Sequence, residues 1–150
     1  MKFSDGYWHM RDNIKAFNAT QVRDVRVDEK SLTVYSACKA IRHRGDTLNE
    51  PLLTIRYSSP MHDIICVRVE HFQGEESLLP EFELNAIEVP VCIKNNETYA
   101  CLSSGNLSVS ISKAGNIKTD FFYKNRHLTG TGLKTTGYIL AGDQNAFIRE

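Results

Sequence analysis

Apolar and polar residues alternate along most of this chain, and the alternation is clearest between Gly105 and Lys113. Leu107, Val109 and Ile111 occupy every second position there, and serines occupy the positions between them. Successive side chains of a β-strand point to opposite faces of a sheet. This spacing therefore predicts an antiparallel strand with one apolar face and one solvated face.

The same period of two predicts a series of further short strands. Residues 63–70 place Ile65, Val67 and Val69 on one face, and the opposite face carries Arg68 and Glu70. Such alternation is typical of a half-buried strand. The other predicted strands are Val22–Val27, Leu32–Tyr35, Thr119–Tyr123, Tyr138–Leu140 and a segment with Leu53, Ile55 and Tyr57 inward.

A segment that starts at Ile87 is predicted to be an edge strand or to contain a bulge. It contains Pro90, which cannot donate a hydrogen bond to a strand ladder. Its alternation points Val89, Val91 and Ile93 inward, and Glu88 and Lys94 outward.

Turn-forming residues separate roughly eight to ten strands at intervals of about eight to twelve residues, as in a sandwich or barrel. We therefore predict one all-β domain over residues 1–150, an antiparallel β-sandwich with few or no helices. The helical candidates are short: Arg11–Phe17 and one turn near Ser77–Leu79. The polar segment Gln73–Glu83 is predicted to be a surface loop.

Charge and hydropathy limit the classes of partner. Eighteen Lys and Arg balance eighteen Asp and Glu, so no positive surplus is available to neutralise a nucleic acid backbone. No apolar run approaches the roughly 20 residues that span a bilayer, and the N-terminus lacks the apolar region of a secretory signal. These features predict a cytoplasmic protein that binds neither nucleic acid nor membrane. The four cysteines lack CxxC spacing and are predicted to be reduced thiols.

Carboxylates are the first candidates for chemistry, because a pair of them can hydrolyse a glycoside. None lies in an apolar or charge-crowded sequence setting that would tune its pKa. Glu70 is predicted to be solvated or to form an ion pair with Arg68 on the strand surface. We therefore predict no catalytic residue among the acids considered, which are Asp46, Glu50, Glu70, Glu75, Glu76, Glu81 and Glu83.

Metal and nucleophile patterns are equally weak. His43, Asp46 and His71 could meet in space, but no HExxH or similar spacing supports a metal site. His62 and His127 lie in polar, turn-like surroundings. Ser58-Ser59-Pro60 has turn chemistry rather than a nucleophile elbow, and Gly130-Thr131-Gly132 lacks the lysine of a phosphate loop. We predict neither a metal nor a cofactor.

Two other features leave alternatives open. The loop 43–49 either reaches a ligand or partner domain, or is an ordinary connection whose Asp and Asn cap turns. The aromatic residues Trp8, Phe72, Phe121, Phe122 and Tyr123 either stack on a sugar ring or pack in the core. Phe121 and Tyr123 share one strand face, and Phe122 takes the other.

Several segments, in their order along the chain, resemble the N-terminal domain of α-xylosidases of glycoside hydrolase family 31. They read MKFSDGYW, SLTVYSA, IRHRGDTLNEPLLTIRYSSP, ICVRVEHFQG, SGNLSVSISK and TGYIL. The resemblance implies a galactose-mutarotase-like β-sandwich that packs beside a catalytic (β/α)₈ barrel and helps to wall the active site. It also implies a retaining glycosidase acting on terminal α-xylosyl or α-glucosyl residues of an oligosaccharide.

In that family the nucleophile and the acid/base are aspartates on the barrel, beyond residue 150, so the resemblance assigns no catalytic residue here. It implies that the chain is a fragment of a longer enzyme and is not itself an enzyme. The alternatives are a free-standing carbohydrate-binding β-sandwich and an oligomerisation module. A homo-oligomer is a further expectation, because an unpartnered strand edge pairs with other chains.

Overall fold

A computed structural model of the protein describes residues 3–6, 9–71, 89–132, 134–142 and 145–149. Within these ranges the one helical element is a 3₁₀ turn, Arg44–Thr47, and no helix is long and apolar enough to cross a membrane. The all-β prediction is confirmed. The strands are β1 (Ser4–Asp5), β2 (His9–Met10), β3 (Ile14–Asn18), β4 (Gln21–Val27), β5 (Ser31–Ala37), β6 (Leu52–Ser58), β7 (Cys66–Glu70), β8 (Cys92–Asn95), β9 (Tyr99–Ser104), β10 (Leu107–Ser112), β11 (Lys118–Tyr123), β12 (Arg126–Gly130), β13 (Gly137–Ala141) and β14 (Asn145–Arg149).

Two antiparallel sheets face each other and form the sandwich. One has the order β4-β5-β6-β7 and the other β12-β11-β10-β9-β8. Their inner faces share one apolar cluster that is at most 2% exposed, which confirms the predicted inward positions on β6 and β10. Full burial of one such aliphatic side chain contributes about 1.5–3 kcal/mol. The cluster consists of Leu32, Val34, Ile55, Tyr57, Ala100, Leu102, Val109 and Ile111.

A third sheet, β14-β13-β3, joins the sandwich at one side. Ile139 on β13 is 1% exposed, so one face of this sheet is buried. The backbone of Thr20, just after β3, donates to Ala37 on one sheet and accepts from Ile117, which precedes β11 on the other. The two strands β1 and β2 form a small separate pair.

The short helical candidate at Arg11–Phe17 is not a helix. The chain turns at Asn13, which has a φ of 61°, and residues 14–18 then form β3. β3 pairs in register with β13, more than 100 residues away along the chain. Pairing with a distant strand overrides a helical sequence pattern that is only one or two helical turns long.

Several strand bounds differ from the prediction for local reasons. β7 begins at Cys66 rather than at residue 63, because Asp63 has a φ of 59° and belongs to a turn. Pro90 lies just before β8, which is an edge strand as predicted. The strands β1, β2, β3, β9, β12 and β14 were not predicted. The predicted turn at Ser77–Leu79, the loop Gln73–Glu83 and the Ile87–Glu88 end of the edge segment lie outside the described residues.

Polar side chains on β6 and in the turn after it contact the facing sheet. We name the residues that make these contacts the inter-sheet clamp. They are Tyr57, Ser59, Asp63, Ser104, Asn106 and Thr119. In the core, the hydroxyls of Tyr57 and Thr119 are 3.1 Å apart. Beside the turn, the hydroxyls of the partly buried Ser59 and the fully buried Ser104 are 2.7 Å apart. The Asp63 carboxylate accepts hydrogen bonds from the backbone and side-chain nitrogens of Asn106.

Gly105 is required at the clamp for two reasons. Its φ of 58° is a conformation that residues with a Cβ adopt at a cost. An added Cβ would also lie 2.5 Å from the Asp63 carboxylate oxygen. A side chain at this position would therefore strain the β9–β10 turn and displace the Asp63 carboxylate.

We expect Tyr57→Phe to lower the free energy of unfolding by about 1 kcal/mol, because it removes a hydrogen bond and leaves the buried Thr119 hydroxyl without that partner. Urea denaturation followed by fluorescence measures the effect. Tyr99→Phe is the matched control, because Tyr99 is 39% exposed, and it should change stability by less than about 0.5 kcal/mol. Equal losses in the two variants would contradict the role of the Tyr57 hydroxyl.

We expect Asp63→Asn to destabilise the fold at neutral pH and to matter less in acid. The hydrogen bond from the Asn106 backbone is the main cause that lowers the pKa of Asp63 below its ordinary value of 3.8. A carboxylate with a lowered pKa contributes stability above that ordinary value and loses it as the pH falls through the folded-state pKa.

The urea midpoints of wild type and Asp63→Asn should therefore differ at pH 7. The difference should begin to shrink as the pH falls below about 4. Glu29→Gln, on an exposed turn, controls for the loss of one negative charge. A difference between wild type and Asp63→Asn that is constant from pH 7 to pH 2.5 would refute the assignment.

Candidate functional site

A groove of about 350 Å³ lies where the three-stranded sheet meets residues 49–51 and the end of β7. Concave, mainly apolar surfaces with a few polar groups are where proteins most often bind other molecules. We therefore take this groove as the candidate functional site. Its walls include Phe17, Glu50, Pro51, His71, Tyr138 and Leu140.

The strand pairing of the third sheet brings together the aromatic side chains that form the floor of the groove. Tyr138 on β13 lies between Phe17 on β3 and Ile148 on β14. Because Ile139 is buried on the opposite face, the pleat directs Tyr138 and Leu140 into the groove. The Phe17 and Tyr138 ring centroids are 6.2 Å apart and nearly parallel.

His71 packs against the same floor from the end of β7. Its ring centroid is 4.0 Å from that of Tyr138, at an interplanar angle of 57°. The Nδ1 atom of His71 is buried and has no hydrogen-bond partner among the described residues. Since Phe17 and His71 both contact Tyr138, its ring is not an open platform for a sugar.

Glu50 supplies the carboxylate of the groove and is held by a cation. Its side chain is 20% exposed, and one oxygen lies 3.2 Å from the Lys39 ammonium nitrogen. Burial is the main cause that raises the pKa of the nearby Cys38 thiol to about 12, and the negative charge of Glu50 is the second. A thiol with such a pKa stays protonated at neutral pH and is a poor nucleophile.

The other predicted acids have structural partners. Glu70 forms an ion pair with Arg68, as predicted. Asp46 accepts hydrogen bonds from the backbone nitrogens of Arg42 and His43, and the first of these is the main cause that lowers its pKa. Glu75, Glu76, Glu81 and Glu83 lie outside the described residues.

The structure separates His43 and Asp46 from His71, the three residues that were considered as metal ligands. His43 lies 3.5 Å from Asp46, whereas His71 packs on Tyr138. Across the described part of the chain, no three His, Cys, Asp or Glu side chains are arranged to hold a metal ion. His127 contacts Asp120 at 2.8 Å. His62 adjoins the inter-sheet clamp, where its charge contributes to the lowered pKa of Asp63.

The remaining motifs have local structural roles. Ser59 belongs to the inter-sheet clamp. The segment Gly130–Gly132 connects β12 to the turn before β13, where the Thr131 hydroxyl accepts a hydrogen bond from the backbone of Thr119. These contacts account for the serine and glycine patterns without a nucleophile or a bound phosphate.

The loop 43–49 has the geometry of an ordinary connection, and whether it reaches a ligand or a partner domain stays a prediction. Its Asp46 caps the 3₁₀ turn, and Asn49 has a φ of 58°, as expected of a connection. Asn49 and the adjoining Glu50 also line the groove.

The aromatic residues divide between core and surface. Phe121 packs against the core cluster, and Phe122 contacts His127 with ring centroids 5.3 Å apart. Tyr123 is 38% exposed and lies under the Lys124 ammonium group. Trp8 and Phe72 lie outside the described residues.

Sequence patterns did not identify the groove. Phe17 was placed in a predicted helix, and Tyr138 was assigned only to a strand. The alternation along β13 could have shown that Tyr138 faces away from the buried Ile139. No pattern in the neighbouring sequence shows that His71 packs against the Tyr138 ring.

Comparison with known proteins finds relatives of this chain among the α-xylosidases. No protein-family model matches the chain. It is 35% identical over 124 residues to the alpha-xylosidase XylQ of Lactiplantibacillus pentosus, which covers 83% of this chain and 16% of that protein. It is 31% identical to an alpha-xylosidase of Emericella nidulans, covering 93% of this chain and 19% of that protein. The α-xylosidase resemblance is confirmed, and the chain spans less than a fifth of each relative.

We expect Cys38 to resist alkylation in the folded protein, because only the thiolate reacts and its pKa is raised to about 12. Exposed Cys66 and Cys92 should react with iodoacetamide at pH 8 at least roughly tenfold faster. Peptide mapping by mass spectrometry measures each rate, and labelling in urea gives the reference in which all four thiols react. Equal rates for Cys38 and Cys66 in the folded protein would overturn this expectation.

Proposed function

Since the chain is homologous to α-xylosidases along most of its length, we propose that it is a non-catalytic N-terminal domain of a family 31 α-xylosidase. The observation that carries the proposal is the asymmetry of the match. It covers 83–93% of this chain and only 16–19% of the relatives. A domain that is one part of a larger glycosidase would give this result.

In the proposed enzyme the catalytic aspartates belong to a (β/α)₈ barrel on the same polypeptide. Retaining glycosidases need two carboxyl groups about 5–5.5 Å apart. Here Glu50, Glu70 and Asp46 are each engaged by partners of their own. The sandwich, of galactose-mutarotase-like type, would support the barrel and wall the active site.

The substrate of the whole enzyme would be an oligosaccharide with a terminal α-xylosyl or α-glucosyl residue. The proposal places the enzyme in the cytoplasm, where reduced thiols are the norm. Cys66 and Cys92 are exposed and all four cysteines are free, which agrees with that compartment.

A free-standing carbohydrate-binding module is the second candidate. The exposed rings of Tyr99 and Tyr123, at 39% and 38%, favour it, because aromatic faces can stack on sugars. The cation over Tyr123 and the packed rings around Tyr138 count against it.

Hydrolysis of p-nitrophenyl α-D-xyloside distinguishes the two functions. We expect a longer polypeptide that contains this chain to release nitrophenol. Residues 1–150 alone should release none, because Glu50 and Glu70 are held in ion pairs. Calorimetry of residues 1–150 with xylose and isoprimeverose should show negligible binding. Measurable hydrolysis by residues 1–150, or no hydrolysis of α-xylosides and α-glucosides by the longer protein, would refute the proposal. Micromolar binding would favour the module.

A further inference from the structure

The pairing of strands in the four-stranded sheet places three arginines in one row. Arg26 on β4 lies opposite Thr33 on β5, and Thr33 lies opposite Arg56 on β6. Arg56 in turn lies opposite Arg68 on β7. A residue next to each of them along its strand packs in or against the core cluster, so the pleat directs all four side chains to the outer face of the sheet. We name these four residues the arginine row.

Carboxylates hold the two outer arginines of the row but not the middle one. The Arg26 Nε atom lies 3.7 Å from a carboxylate oxygen of Asp24, and Arg68 pairs with Glu70. The residues two positions before and after Arg56 on β6 are a threonine and a serine, which carry no charge. Among the described residues, no carboxylate forms an ion pair with Arg56, which is exposed.

The arginine row contains a repulsive pair. Arg56 and Arg68 lie directly opposite each other, on strands that are about 4.8 Å apart. Like charges in this position destabilise a sheet. An anion between the two guanidinium groups would remove the repulsion and accept charge-assisted hydrogen bonds from both. A phosphate monoester matches two planar guanidinium groups, because it carries up to about two negative charges on three acceptor oxygens.

A recess of about 560 Å³ adjoins the arginine row at the turn between β4 and β5. Arg56 and Lys30 contribute cations to its lining, and Asp28 and Glu29 contribute carboxylates. Val27, which is 46% exposed, adds apolar surface. Carboxylate oxygens accept hydrogen bonds from hydroxyl groups and repel a second anion. The recess therefore suits an uncharged part of a ligand that carries hydroxyl groups.

The carboxylates around the row favour a small ligand over a long polyanion. Asp24 and Glu70 belong to the next row of the same sheet, in register with Tyr35 and Thr54 between them. A nucleic acid needs cations for many successive phosphates, whereas charges of both signs alternate on this face. The arrangement therefore suits one phosphate group.

We propose that the arginine row and the adjoining recess form a binding site for a phosphorylated sugar. The phosphate lies between Arg56 and Arg68, and hydroxyl groups of the sugar donate to Asp28 and Glu29. The turn is two residues along β5 from the row, which is about 7 Å at the rise of a strand, and a sugar ring with its phosphate spans such a distance. This site goes beyond the proposed function and does not depend on it.

Calorimetric titration at low ionic strength tests the class of ligand. The probes are glucose 1-phosphate, glucose 6-phosphate, inorganic phosphate and glucose. At least one sugar phosphate should bind roughly tenfold or more tightly than inorganic phosphate, and glucose should give no measurable binding, because hydrogen bonds to charged groups are the strongest ones available. Binding of neither sugar phosphate would overturn the site, and equal affinity for inorganic phosphate would overturn a sugar as the ligand.

A matched pair of variants tests the location. Arg56→Gln should weaken binding of the sugar phosphate roughly tenfold or more, because it removes a charge-assisted hydrogen bond. Arg126→Gln is the control, because Arg126 is an exposed arginine on β12 of the other sheet and its loss changes the net charge equally. Equal weakening in the two variants would indicate a general effect of charge and would overturn the location.

Urea denaturation separates binding from a structural role of Arg56. Without ligand, Arg56→Gln should be at least as stable as wild type, because it removes one of two opposed like charges. A saturating sugar phosphate should raise the midpoint of wild type, because a ligand that binds only the folded state stabilises it, and should leave that of Arg56→Gln unchanged. A lower midpoint of Arg56→Gln without ligand, with no response of wild type to either sugar phosphate, would identify a structural role and refute the site.

Discussion

The contact between the inner faces of two sheets is the constraint on which the rest of the molecule depends. Leu32, Val34 and Ile55 from one sheet meet Leu102 and Val109 from the other at 0–2% exposure. An isolated sheet with one apolar face cannot remain in water, so neither sheet is stable without its partner. Polar contacts such as the inter-sheet clamp then set how the two sheets align, because directional hydrogen bonds restrict a packing that apolar contact alone leaves adjustable.

The separate roles of apolar packing and of the inter-sheet clamp explain the sequence motif around Ser59. Its apolar positions supply the core strands, and its Ser, Asp and neighbouring Gly105 supply the inter-sheet clamp. The resemblance to α-xylosidases therefore includes residues whose side chains hold two turns together. A motif that is specific to an enzyme can therefore be specific because two turns must fit each other.

The parts of the fold that could be predicted are strands whose side chains alternate between a buried and a solvated face. Alternation along β6 and β10 identified Ile55, Tyr57, Val109 and Ile111 as core, because a half-buried strand has no other way to separate its two faces. The strand at Ile14–Asn18 was missed, because its partner β13 lies more than 100 residues away. The groove was missed for the same reason: β3, β13 and the end of β7 are distant along the chain, and each contributes one ring.

The groove also shows how ion pairs within the domain allow carboxylates to lie beside apolar side chains. Lys39 and Arg68 lie on the same domain as the carboxylates that they neutralise. Partial removal of a carboxylate from water costs free energy unless an opposite charge or hydrogen bonds compensate for it. The side chain of Glu50, which is 20% exposed, can therefore line a mainly apolar groove because the Lys39 ammonium nitrogen lies 3.2 Å from it.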